Sequence, residues 1–249
     1  SMLLVFFLTF FMVPLLQGDD DGDDTTTNTV NTINVDAPPP NTIQHYHPIE
    51  QALRDNIALQ QGQEFDNANS YQSKSLAFLL SQANVYELYS TARLRQVYAL
   101  ACLYFATNNH HNNEQSSWRS YYTQSSQDAW VQATEECDWP GVTCTHQQVT
   151  RLDLALAGMQ GSLPLELQLL QSSLTELLLD DNPGLTGSIP DFLGYMELAY
   201  LTLTDCGFTG SMPGSICNYH QSNSAFNFLI DCDKIFCQPT CCEDCRRRL

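Results

Sequence analysis

Positive charge is scarce in this sequence. Lys and Arg total 10 against 28 Asp and Glu, which gives a formal net charge of -18 at pH 7. Consecutive basic residues occur in one run, Arg246–Arg248, near the C-terminus. Because such a chain is repelled by nucleic-acid phosphates and by anionic lipid headgroups, we expect no nucleic-acid partner. Its partners should be neutral or basic.

Sequence motifs of common enzymes are absent as well. There is no Gly-rich phosphate loop, no kinase signature set, no His-Glu-x-x-His and no Gly-x-Ser-x-Gly. The adjacent acidic pairs Glu135–Glu136 and Asp180–Asp181 are typical of solvated turns rather than of an acid/base dyad. We therefore expect a non-enzyme without catalytic residues or a cofactor. The chain also has no Asn-x-Ser/Thr sequon, so glycosylation gives no indication of secretion.

Apolar residues form one long uncharged run, at residues 2–16. This run is shorter than the span of about 20 residues that a membrane helix needs, so segment 1–17 is either a signal peptide or part of a single-pass anchor. No basic residue precedes it and the chain starts at Ser1, so we expect upstream sequence to be missing. Residues 18–45 are rich in Asp, Thr, Asn and Pro, a composition that predicts a disordered linker.

Helical periodicity follows the linker. Between residues 93 and 105, apolar side chains recur every three or four residues, which predicts an amphipathic helix. Ser90 offers a capping oxygen ahead of this helix, and a shorter helix is predicted over residues 74–81. Cys102 lies among the apolar positions and is expected to be a buried free thiol.

The second half of the chain is repetitive. The pattern Leu-x-x-Leu-x-Leu occurs at residues 149–154 (with Val first), 174–179 and 198–203, at steps of 25 and 24 residues, and a degenerate copy covers 225–230. A second marker of the form Gly-Ser-x-Pro follows each of the first three copies, at 161–164, 187–190 and 210–213. Two markers in phase predict a solenoid of stacked coils, each contributing a short strand to a shared core.

One position in each coil is expected to satisfy the backbone as it turns. It lies three residues after the last leucine of the pattern and holds Ala157, Asn182 and Cys206. Asn and Cys suit this role, whereas Ala157 departs from the pattern. Cys206 is therefore expected to be a structural free thiol.

A cysteine motif precedes the repeats. Cys137-Asp138-Trp139-Pro140-Gly141-Val142-Thr143-Cys144 resembles the N-terminal cap of plant-type leucine-rich repeat proteins, in which Cys-x-Trp-x-Gly-Val-x-Cys closes a small disulfide loop. The resemblance implies a disulfide between Cys137 and Cys144. Residues 71–80 and 95–107, together with the C-terminal cysteines, are similar to the leucine-rich repeat proteins of diatoms, some of which are receptor-like without a kinase.

The resemblance implies an α/β solenoid, a short leucine-rich repeat horseshoe between two caps. A helical N-terminal cap region would cover residues 46–145, three clear repeats and one degenerate repeat 146–231, and a disulfide-rich C-terminal cap 232–249. It also implies an extracellular or cell-surface protein, secreted or held by a single membrane pass. The sequence carries no indication of oligomeric state.

Six cysteines near the C-terminus remain to be paired. They permit 15 disulfide connectivities, and the sequence does not choose among them. A zinc site is the alternative, since closely spaced thiolates can bind the metal. The adjacent pair Cys241–Cys242 and the export signal favour disulfides, and we expect no metal. The six are Cys217, Cys232, Cys237, Cys241, Cys242 and Cys245.

Stacked strands would present three columns of outward side chains on the concave face. Tyr200 is our first candidate contact, since tyrosine is common among interface hot spots. We expect a binding module, a receptor-like ectodomain or adhesion protein that recognises a protein, peptide or glycan there. The alternative is a secreted matrix or wall-associated protein, or an enzyme inhibitor, whose acidic face holds a basic partner. The columns are Arg151, Glu176, Tyr200 and Asn227; Asp153, Leu178, Thr202 and Leu229; and Ala155, Asp180, Thr204 and Asp231.

Overall fold

A computed structural model describes residues 46–108, 118, 130–131, 134–238 and 241–242. These residues belong to one compact unit, His45–Leu249. The apolar segment 1–17, the predicted linker 18–45 and Cys245 lie outside the described residues. Within the described ranges, no helix combines the length and hydrophobicity that a membrane crossing requires.

Helices make up the N-terminal part of the unit. They are α1 (Pro48–Asn56), a 3-10 helix (Gln63–Phe65), α2 (Tyr71–Ser81), α3 (Ala83–Tyr86) and α4 (Thr91–Thr107). The Ser70 and Ser90 side chains cap α2 and α4 by accepting hydrogen bonds from main-chain N–H groups. Residues 97–104 of α4 are all buried, as expected for a helix covered by neighbours on several sides.

The repeats and the residues just before them form a five-stranded sheet. Its strands, in their spatial order, are β1 (Val142–Thr145), β2 (Gln148–Asp153), β4 (Glu176–Leu178), β6 (Tyr200–Leu203) and β9 (Asn227–Ile230). β1 and β2 are antiparallel, and the other neighbours are parallel. In each parallel pair, equivalent positions of successive repeats lie opposite one another.

The Gly-Ser-x-Pro markers shape the rest of each coil. Short strands β3 (Gln160–Gly161), β5 (Gly184–Gly187) and β7 (Gly207–Phe208) pair in parallel, and β8 (Gly210–Ser211) pairs with β10 (Ile235–Phe236). The marker glycines have φ values of 88–102°, a region that other residues rarely adopt. Each marker proline then precedes a helical turn: 3-10 helices at Leu165–Leu170 and Asp191–Tyr195, and helix α5 at Gly214–Ser222.

The expected turn position is buried in all three coils, with Ala157 and Asn182 fully enclosed and Cys206 2% exposed. The Asn182 Nδ2 group donates to the carbonyls of Leu154 and Leu179, at 2.8 Å each, and its Oδ1 accepts from the Met159 N–H at 3.0 Å. The Cys206 thiol donates to the same Leu179 carbonyl at 3.1 Å. These bonds tie one coil to the coil before it.

Disulfides are present on both sides of the repeats, in the segment before them and in the C-terminal segment. Cys137 and Cys144 are bonded, as are Cys217 with Cys241 and Cys237 with Cys242. Cys232 is also disulfide-bonded, and Cys102 and Cys206 are buried free thiols. The sulfurs of Cys217, Cys237 and Cys241 lie within 4.8 Å of one another, close enough to hold a metal ion. All three are in disulfides, however, so none of them is a thiolate that zinc could bind. The parallel strands and disulfides fit a leucine-rich repeat-like fold, but the main sheet is mixed, with an antiparallel β1–β2 pair, and the described residues do not form a clear solenoid.

Candidate functional site

Two of the expected columns are formed by strand pairing. In the first, Arg151, Glu176, Tyr200 and Asn227 lie opposite one another on β2, β4, β6 and β9. In the second, the order is Asp153, Leu178, Thr202 and Leu229. The alternate residues on the same strands are leucines of the core, such as Leu152 and Leu177. The columns therefore share one side of the sheet, which we name the strand face.

The arginine of the strand face is neutralised within the face. Arg151 Nη2 lies 2.8 Å from Asp153 Oδ2, and Nη1 forms an ion pair with Glu176 Oε2. Hydrogen bonds to Asp153 and Glu176 raise the pKa of Arg151, although partial burial opposes them. This guanidinium is therefore occupied, while the carboxylates around it are in excess.

Carboxylates of the third column join the ends of neighbouring strands. Asp180 Oδ1 accepts hydrogen bonds from Thr204 N at 2.9 Å and Thr204 Oγ1 at 2.5 Å, and Oδ2 accepts from Thr202 Oγ1. One coil later, Asp231 Oδ2 accepts from Asp205 N at 2.9 Å. Asp180, Thr202 and Thr204 thus have a clear structural role, beyond any ligand contact.

Tyr200 is the most prominent side chain of the strand face, with 48% of its surface exposed. Asn227 is exposed beside it, and Leu178 and Leu229 are half-buried. Four carboxylates belong to this face and two cations pair with them, Arg151 and, at 3.4 Å from Asp231 Oδ2, Lys234 Nζ, so the face keeps a net negative charge around Tyr200. The four are Asp153, Glu176, Asp180 and Asp231.

A pocket at the β9 end of the strand face was not anticipated from the sequence. Its volume is about 150 Å³, and Asn227 and Leu229 of the columns contribute to its wall. Cys241 and Cys242 complete the wall, and the sequence leaves their pairing open. The pocket depends on where the disulfides place these cysteines, so a linear pattern does not reveal it.

The interpretation of Glu135–Glu136 as a solvated turn is wrong for Glu136. This carboxylate is fully buried, and it accepts hydrogen bonds from Arg93 Nε at 2.8 Å and Arg93 Nη2 at 2.6 Å. Gln96 Nε2 also donates to it at 2.6 Å, while Gln96 Oε1 accepts from Val149 N at 2.7 Å. The cluster joins α4 to the first repeat and is structural, because ion pairing and burial leave the carboxylate no access to a ligand.

Comparison with known proteins gives partial similarities to plant leucine-rich repeat receptor ectodomains. No family model matches the sequence. The BIR3–SERK2 complex from Arabidopsis thaliana is 30% identical over 39% of this chain and 52% of that chain, with a TM-score of 0.34. The PEPR1–AtPEP1 structure is 30% identical over 41% of this chain and 14% of that chain, with a TM-score of 0.33. This chain thus spans about half the length of the first protein and about a seventh of the second.

Proposed function

We propose that this protein is a non-catalytic binding module in which the coils form a short α/β horseshoe with the strand face on its concave side. That face would recognise a protein or peptide, with a glycan as a further ligand class, in a receptor-like ectodomain or an adhesion protein. The observation that carries the proposal is the exposed ring of Tyr200 among in-register carboxylates.

The charge of the strand face favours a basic ligand. Its four carboxylates outnumber the two cations that pair with them, Arg151 and Lys234, and the remaining negative charge attracts an incoming Lys or Arg. The ring of Tyr200 adds a surface over which a cation can pack. Since four strands make a small face, we expect an interface at the lower end of the usual size range.

An oxidising compartment fits the cysteine chemistry. Three described disulfides and the bonded Cys232 indicate a protein that is made for export. We therefore place the protein outside the cell or at its surface, with residues 2–16 as signal peptide or anchor. An anchored protein would suit the receptor-like function.

The second candidate is a secreted matrix or wall-associated protein, or an inhibitor of a basic enzyme, which the acidic face also favours. The two candidates differ in whether the protein is anchored in the membrane: the receptor-like protein would be anchored, and the matrix protein or inhibitor would be secreted. Alkaline carbonate extraction of source-cell membranes, with mass-spectrometric mapping of the mature N-terminus, distinguishes the two. Retention with residues 2–16 intact supports the receptor-like protein, and release with a start near Asp19 supports the secreted one.

Binding itself is tested with labelled decapeptides of alternating Arg and Ser, or Glu and Ser, by fluorescence anisotropy. We expect the Arg peptide alone to bind, and the double variant Leu178→Ala, Tyr200→Ala to weaken it about tenfold or more. The matched control is Leu165→Ala, Tyr195→Ala, which removes an exposed Leu and Tyr from the 3-10 helices instead. Equal affinity for both peptides, or equal losses in both double variants, would contradict the proposal.

A further inference from the structure

The pocket at the β9 end of the strand face lies along the outer edge of that strand. All four residues of β9 contribute to its wall, although successive strand residues point to opposite faces of a sheet. A cavity that touches both faces must therefore follow the strand edge. β9 is the last strand in the sheet order, so that edge has no neighbouring strand among the described residues. The wall consists of His220, Asn227, Phe228, Leu229, Ile230, Cys241 and Cys242.

One main-chain N–H of this edge points away from the sheet. The Asn227 N–H donates to the Ala199 carbonyl at 2.8 Å, toward β6, so the N–H of Phe228 points the other way. Among the described residues, the Phe228 N–H has no hydrogen-bond acceptor. His220 Nδ1 lies 3.2 Å from the Phe226 carbonyl and must donate to it, which makes Nε2 an acceptor in the neutral ring.

The pocket has the size of one side chain. Its volume of about 150 Å³ is similar to that of an engineered apolar protein cavity that holds benzene. Phe228, Leu229 and Ile230 give it an apolar lining beside the polar groups of His220 and Asn227. One aromatic or branched aliphatic side chain would fill it.

We propose that this pocket receives the apolar side chain at one end of an extended basic peptide whose remaining residues cross the strand face. The inference rests on the proposed function and adds to it the residue that anchors the ligand. Two observations favour this occupant. Asn227 and Leu229 belong both to the columns and to the pocket, so a peptide on the face reaches the pocket without a break. The carboxylates of the face select its basic residues.

The probes are two labelled peptides of alternating Arg and Ser that differ in one terminal residue, Leu or Ala. Burying the Leu side chain should make the wild-type protein bind the Leu peptide about tenfold more tightly. Leu229→Trp fills the pocket and should abolish this preference, so that the ratio of the two affinities falls to about one whatever the affinity for the Ala peptide. Asn227→Trp, at an exposed position on the rim, provides a second variant if Leu229→Trp fails to fold. Tyr195→Trp, on the 3-10 helix side, should keep the preference.

The outcomes separate the two proposals. Equal binding of both peptides by the wild type, or a preference that survives both pocket variants, overturns the pocket assignment and leaves the proposed function standing. Binding of neither peptide overturns the basic-ligand function together with the pocket. If a preference emerges only in the triple variant Arg246→Ser, Arg247→Ser, Arg248→Ser, the pocket belongs to the chain's own C-terminal residues and the proposal is wrong.

Discussion

Arg93 and Glu136, 43 positions apart in the chain, form a bidentate ion pair with N–O distances of 2.6 and 2.8 Å. Arg93 is on α4, and Glu136 is adjacent to Cys137 of the first disulfide. Gln96 extends the contact to the main chain of Val149 at the start of the first repeat. The helices, the disulfide loop and the repeats are thereby joined at one place.

Replacing Arg93 by Met should destabilise the protein by about 3–5 kcal/mol, because it leaves the buried Glu136 carboxylate without its cation. The free energy of unfolding in urea measures this loss. The matched control is Glu135→Gln, which removes the exposed partner of the same arginine and should cost less than about 1 kcal/mol. If both variants lower the free energy of unfolding by less than about 1 kcal/mol, the buried ion pair stabilises the protein no more than the exposed one does.

Acid should weaken the contribution of the Glu135–Arg93 ion pair to the stability of the fold. The hydrogen bond from Arg93 lowers the pKa of Glu135 below its ordinary 4.5, outweighing partial burial, which raises it. A lowered folded-state pKa stabilises the protein above the unfolded-state pKa, and the effect is lost as pH falls through the folded value. Wild type and Glu135→Gln should therefore differ in Tm at pH 7 and converge in acid. A difference in Tm that grows as the pH falls would contradict a lowered pKa for Glu135.

Asn182→Ala should destabilise the repeats more than a typical surface change does. It leaves the buried Met159 N–H without its acceptor, at about 1–3 kcal/mol, and removes one of the donors to the Leu154 and Leu179 carbonyls. These carbonyls keep the Ala157 N–H and the Cys206 thiol as donors. Urea unfolding followed by circular dichroism measures the loss. Asn218→Ala, at an exposed position of α5, is the control and should be close to neutral. Equal stability of the two variants would mean that the side-chain bonds of Asn182 are replaced without cost.

The two free thiols should resist alkylation in the folded protein. Burial raises the pKa of Cys102 and raises that of Cys206 to about 12. A raised pKa reduces the thiolate fraction, so iodoacetamide at pH 8 should add nothing to the native protein. Unfolding without reduction should then give two adducts by intact mass. Modification of the native protein, or more than two adducts, would contradict the assignment.

Sequence periodicity predicts the register of the parallel strands well, because the steps of 25, 24 and 27 residues between copies of the pattern bring equivalent positions opposite one another. Tyr200 lies opposite Glu176 and Asn227 for this reason. The helix predicted over residues 93–105 is present and extends two residues further at each end. Its Ser90 cap sets the first boundary.

Features that depend on distant parts of the chain were not predictable in this way. Glu136 has the local sequence of a solvated turn, and its burial follows from the position of Arg93 on a helix far back in the chain. The disulfide between Cys217 and Cys241 likewise joins α5 to a segment 24 residues further along the chain, after the last strand. No spacing rule separates it from the other connectivities.

The bonds of Asn182 reach the preceding coil through Leu154 and stay within its own coil through Leu179. A contact scheme of this kind is local, so an evolutionary duplication or deletion of one whole coil changes neither terminal cap. The sheet could therefore be lengthened or shortened by whole repeats without a change at either end. The acceptors are main-chain carbonyls, which any residue at positions 154 and 179 would supply, so the constraint falls on the amide side chain of Asn182.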